Sequence, residues 1–129
     1  TETKGLRQML NLGHTFGHAL ESSSHFSLFG HGACVAWGTC RALEAGVALG
    51  VTDKSYGVGA TKLFKSYGYA IDHRIGRGDW IEFRDHLLKD KKKVDGKVQF
   101  VLLESQGKAV LRPLELQMVQ QLVIAKPLF

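Results

Sequence analysis

The chain has 129 residues, 44% of them hydrophobic and 22% charged, with a formal net charge of +5. That is enough for one domain with a real core, and it excludes wholesale disorder. No apolar run approaches the roughly 18 residues of a membrane span, and two cysteines, Cys34 and Cys40, are too few for a disulfide scaffold. Reduced thiols and a cytoplasmic location, with no secretory leader, are the expectation. The chain opens on Thr1-Glu2-Thr3 without Met and within a dozen residues reaches its most reactive segment. A chain cut from a longer one is expected to begin this way.

The first element, Leu6 to about Ser23, reads as a helix. At 100° per residue, Arg7, Asn11, His14, His18 and Glu21 share an arc of roughly 80°. Leu6, Met9, Leu12, Phe16, Ala19 and Leu20 fill most of the other side. A solvent face favours Lys, Glu and Gln, whereas this stripe carries Arg, Asn and two His. Gly13 and Gly17 inside the helix each cost roughly 1 kcal/mol relative to Ala. Such a cost points to close approach by another backbone or a ligand.

His14 and His18 stand at i and i+4, so both rings leave one face a turn apart. The spacing suits metal ligation or work on one substrate, but alone it equally describes a chance surface pair. The His-Glu-x-x-His helix of metalloproteases is excluded, because Thr15 follows His14. After a Gly-containing turn over 27–32, His31 lies between Gly30 and Gly32, which allow unusual backbone angles. If the first two helices form an antiparallel pair, His31 returns beside the stripe. Two His, a carboxylate and water make an open catalytic zinc set, yet the carboxylate is missing. Glu21 is two turns from His14, and Glu44 is more than three turns beyond His31. His25, His73 and His86 read as surface residues.

Gly32 to about Leu49 reads as a buried helix ended by Gly50. Thr52-Asp53 caps a helix to about Tyr67, stopped by Gly68. Asp79 caps another, Trp80 to about Asp90. Val98–Leu103 has strand composition, Ser105–Lys108 turn composition, and Ala109–Arg112 is a second strand, together a hairpin. Pro113 is expected to open a last helix, Leu114 to about Ala125. Residues 84–97 set six Lys and Arg against three Asp. Without interleaved aromatics, this basic run suits a solvated helix end or a small phosphate or carboxylate ligand better than nucleic acid.

The segment from Leu10 to Glu21, LNLGHTFGHALE, resembles the signature of the 3-dehydroquinate synthase family, cyclases of sugar phosphates. His31-Gly32-Ala33-Cys34-Val35-Ala36 resembles its next helix start, Asp90–Lys97 its Asp-Lys-Lys…Gly-Lys run, and Val98–Leu103 the following strand. The likeness covers nearly the whole chain. It implies a mainly α, multihelical C-terminal domain of the dehydroquinate synthase-like fold with one small β-hairpin, spanning residues 1–129. An N-terminal domain that binds NAD would lie outside this chain.

Residue by residue, the resemblance makes His14 and His31 metal ligands for Zn²⁺ or Co²⁺, with a third ligand, a Glu, upstream. It makes His18 catalytic and substrate-binding. Arg7, Asn11 and Lys92, or its neighbour Lys91, become substrate-binding residues, and no residue here is assigned to NAD. The implied reaction turns a seven-carbon sugar acid phosphate, 3-deoxy-D-arabino-heptulosonate 7-phosphate, into 3-dehydroquinate in the shikimate pathway. One carbinol is transiently oxidised, phosphate leaves, the ketone is reduced, and an aldol step closes the ring. The implied enzyme is a homodimer, with neither nucleic acid nor membrane as partner, and this fragment alone would be inactive.

Ala33 stands where the family usually has Glu, and Thr3 where an acidic residue is common. Two alternatives therefore stay open. One is a sister cyclase of the 2-deoxy-scyllo-inosose or valiolone type. The other is a non-catalytic helical module that binds metal or anions.

Overall fold

A computed structural model describes residues 15–23, 30–90, 93–94, 97–104 and 108–124. Within them lie helix α1 (residues 15–22), α2 (His31–Ala48), α3 (Lys54–Ser66), a 3₁₀ turn (Arg77–Asp79) and α4 (Trp80–Asp90). Strands β1 (Lys93–Val94), β2 (Lys97–Glu104) and β3 (Lys108–Glu115) follow, then α5 (Leu116–Ile124). The expected mainly helical class holds. The sheet is antiparallel in the order β1-β2-β3, so a two-residue strand widens the expected hairpin.

The helix boundaries follow local chemistry. Asp53 caps α3 by accepting a hydrogen bond from the Tyr56 amide at 3.2 Å. Gly68 ends that segment at φ 88°, a left-handed angle that glycine adopts without a Cβ penalty. The expectation for Pro113 fails. It lies in β3 opposite Gln99, and α5 begins three residues later at Leu116. β3 is an edge strand with one partner, so a residue without an N–H is tolerated there. Gly30 also departs from expectation, taking an ordinary extended conformation at φ −64°, ψ 159°.

One core joins most elements. β2 alternates, burying Val98, Phe100 and Leu102 while Lys97 and Gln99 face out. Phe16 of α1 stacks on Phe100 at 4.7 Å. Trp37 of α2 meets the Phe83 ring of α4 edge-on at 6.0 Å. A smaller cluster of Ala36, Cys40 and Ile71, backed by Phe64, fastens the 67–76 connection to α2. No described helix is long and apolar enough to cross a membrane.

Candidate functional site

The site begins with two helices in contact. A Cβ on Gly17 would stand 2.6 Å from the Cys34 carbonyl oxygen and 3.2 Å from Val35 Cα. Backbone therefore meets backbone at this point, which accounts for a glycine inside a helix. One turn further along α1, Glu21 meets His31, Oε1 to Nδ1 at 3.0 Å. Residue numbers rise along α1 as they fall along α2, so the pair is antiparallel. His31 does return to the polar stripe.

α1 divides as its pattern predicts, with Phe16, Ala19 and Leu20 fully buried and His18 exposed. Glu21 lies three residues after His18 on the same face. Because Glu21 holds His31, that ring belongs to the same side as His18. The His31 side chain is 69% exposed and Glu21 35%. The Glu21 carboxylate oxygen is the acceptor and His31 Nδ1 the donor. Glu21 is also close enough to Cys34 for its charge to add to burial in pushing that thiol up.

In the sequence Glu21 stands two turns from His14, too far to share a metal ion with it, and its contact with His31 depends on the pairing of the two helices. The signal that would have found the pair was available. Glu21 closes the stripe, and an antiparallel turn returns His31 to that end. His18 and His31 lie where the pattern expected them. Arg7, Asn11, His14, Lys91 and Lys92 lie outside the described residues, as does His25.

A different polar cluster was missed. Arg41 and Glu44 are buried, with side chains 2% and 3% exposed, and Arg74 is half-buried at 12%. Arg41 Nε approaches Glu44 Oε1 at 2.6 Å, and Arg74 Nη2 donates to Glu44 Oε2 at 3.2 Å. Trp37 Nε1, Arg74 Nη1 and Arg41 Nη1 converge on the His73 carbonyl at 2.7, 3.0 and 3.4 Å. The Arg41 guanidinium also lies 5.3 Å from the Trp37 ring centroid. Burial lowers the Arg41 pKa, and the Glu44 carboxylate opposes that shift. His73 is half-buried rather than a surface residue, and burial, with Arg41 nearby, lowers its pKa. His86 is likewise half-buried, 4.0 Å from Glu82. Burial pushes the Cys40 thiol up to about 11, so this free cysteine is a core residue and no nucleophile.

Among the described residues, no group of three His, Cys, Asp or Glu is placed to hold a metal ion. One side chain nevertheless has the form of a ligand. Metal-bound His commonly donates its other ring N–H to a carboxylate, as His31 does to Glu21. That donor chemistry fits a metal ion at His31.

The fold is shared with a solved synthase. A crystal structure of 2-deoxy-scyllo-inosose synthase, complexed with carbaglucose-6-phosphate, NAD+ and Co2+, matches 90% of this chain and 34% of its own, with a TM-score of 0.75 and 20% identity. A family model described as 3-dehydroquinate synthase C-terminal matches residues 1–93. The chain belongs to that family. The 3-dehydroquinate synthases of Pseudomonas putida (strain W619) and Dehalococcoides mccartyi (strain CBDB1) are 39% and 40% identical to it, over 83% and 84% of this chain. It spans 29% of the length of each of these relatives.

Proposed function

We propose that this chain is the metal- and substrate-binding C-terminal domain of a 3-dehydroquinate synthase that converts 3-deoxy-D-arabino-heptulosonate 7-phosphate to 3-dehydroquinate and phosphate. The observation that carries the reading is the family match over residues 1–93, which spans the whole stripe and His31. Relatives at 39% and 40% identity carry the synthase name, whereas the inosose synthase likeness is 20% and speaks for the fold alone.

In this reading His14 and His31 hold Zn²⁺ or Co²⁺, and NAD sits on an N-terminal domain. When bound, the metal polarises a substrate oxygen and NAD takes up and returns a hydride. This chain's residues bind and orient. His31 is held through Nδ1 by Glu21, which shares a face of α1 with His18. His18, exposed on that side, is placed to hold or pass a proton at a substrate oxygen. Arg7, Asn11 and Lys92, or Lys91, supply cationic and amide donors for the substrate's carboxylate and phosphate. A homodimeric, cytoplasmic enzyme completes the proposal. The free Cys34 and Cys40 accord with that compartment.

The test is turnover by the enzyme that includes this domain. It is expected to consume the acid sugar phosphate and release phosphate, and His18→Ala should slow it by about 10²–10⁴-fold. Turnover of a neutral hexose phosphate alone would overturn the assignment in favour of the sister cyclases. The chain itself should bind zinc weakly, and His31→Ala should abolish that binding in a calorimetric titration.

A further inference from the structure

We propose that Glu21 is a positioning residue for the metal centre, fixing the tautomer and direction of the His31 ring so that Nε2 is the ligating nitrogen. The inference rests on the reading of His31 as a metal ligand, and it assigns a role to a residue that the resemblance left without one.

Three observations carry it. The first is the 3.0 Å contact between Glu21 Oε1 and His31 Nδ1. A free imidazole exchanges its proton between two nitrogens and its ring swings. A carboxylate accepting at Nδ1 selects one tautomer and one orientation. The second is where the contact lies. With side chains 69% and 35% exposed, the pair contributes little to stability, so stability alone gives no reason for it. The third is what supports it. Glu21 follows Ala19 and Leu20, both fully buried, and the bare Gly17 lets α1 close onto α2 one turn away. Glu21 is thus carried by a fixed backbone, as a group that must aim another side chain requires.

The arrangement differs from direct ligation. A carboxylate that itself bound the metal would lose that role on conversion to an amide. One that only accepts a proton from His31 is largely replaced by an amide oxygen. Glu21→Gln and Glu21→Ala therefore separate the two possibilities.

The experiment uses the enzyme that includes this domain, labelled with ¹⁵N at its histidines. Without metal, long-range ¹H–¹⁵N spectra of the histidine rings should show the His31 proton on Nδ1. Glu21→Ala should move it to Nε2 or to a mixture, and Glu21→Gln should keep it. In a zinc titration, Glu21→Ala should weaken binding by about 10- to 100-fold, while Glu21→Gln stays near the parent. An unchanged His31 tautomer in Glu21→Ala would overturn the proposal. So would a Glu21→Gln variant that keeps the tautomer yet loses as much zinc affinity as Glu21→Ala, since the carboxylate would then be a ligand. If His31→Ala leaves zinc binding intact, the metal reading of His31 falls. The metal-free ring spectra still decide whether Glu21 sets the tautomer, so the two failures are told apart.

Discussion

Helix α2 carries two kinds of polar residue, and they behave differently. At its first residue, His31 is exposed and held by one carboxylate from α1. Three turns along, Arg41 and Glu44 are almost fully buried, and Arg74 closes the cluster from the following connection. The exposed end tolerates incomplete partnering because solvent can complete it. The buried middle has no such freedom. Each charge there must be matched, and the 67–76 connection is tied to α2 by Arg74 on Glu44 and by Trp37 and Arg41 on the His73 carbonyl. Titratable residues on one helix can thus serve recognition at one end and anchoring in the middle.

The contrast is tested most strongly by removing one carboxylate from each region. Glu44→Ala removes the carboxylate that faces the buried Arg41 and the half-buried Arg74 and is expected to cost about 3–5 kcal/mol. It should be read as a fall in the urea midpoint at unchanged slope. Glu21→Ala, at the exposed pair, is expected to cost at most about 1 kcal/mol. Equal losses would erase the distinction between the two regions.

A smaller effect is expected where the two helices touch. Gly17→Ala removes a helix-weakening glycine, which alone would stabilise by about 1 kcal/mol. Its new Cβ, however, meets the Cys34 backbone, which cannot swing aside as a flexible side chain would. A net loss of about 1–3 kcal/mol is expected in thermal or urea unfolding. Because α1 would be pushed off α2, the Glu21–His31 bond should weaken as well. A gain in stability would show that the helices can separate at little cost.

The exposed region was legible in the sequence and the buried one was not. The stripe stood out because Arg7, Asn11, His14 and His18 are poor surface filler, and Gly17 announced a close approach that the structure shows against Cys34. The helices α2, α3 and α4 could be read from apolar spacing and from the stops at Gly50 and Gly68. Pro113 misled because proline suits a helix start and an edge strand alike, and the choice depends on the pairing with Gln99. Arg41 and Glu44 were passed over inside an Ala- and Leu-rich helix. Their i, i+3 spacing, with apolar residues on every side, is the signature of an internal ion pair. Arg74 could not be joined to them, since its place depends on how the 67–76 connection folds back.

The smallest expected effect concerns pH and tests whether the anchor excludes charge. Burial, with Arg41 nearby, lowers the His73 pKa in the folded protein. The unfolded chain takes up that proton near about 6.5. Above that pH both states hold a neutral ring, and His73 adds no slope. Below it the unfolded state binds more protons than the folded one, so stability falls until the pH reaches the lower folded value. His73→Asn removes the titrating ring but keeps the backbone carbonyl that accepts from Trp37 and Arg74. Urea midpoints measured between about pH 7 and 5 should therefore decline less steeply for His73→Asn than for the parent. Parallel declines would mean that the ring takes its proton as readily in the folded chain as in the unfolded one. In that case the sealed character of the anchor would end at Arg41, Glu44 and Arg74 and would not reach the His73 side chain.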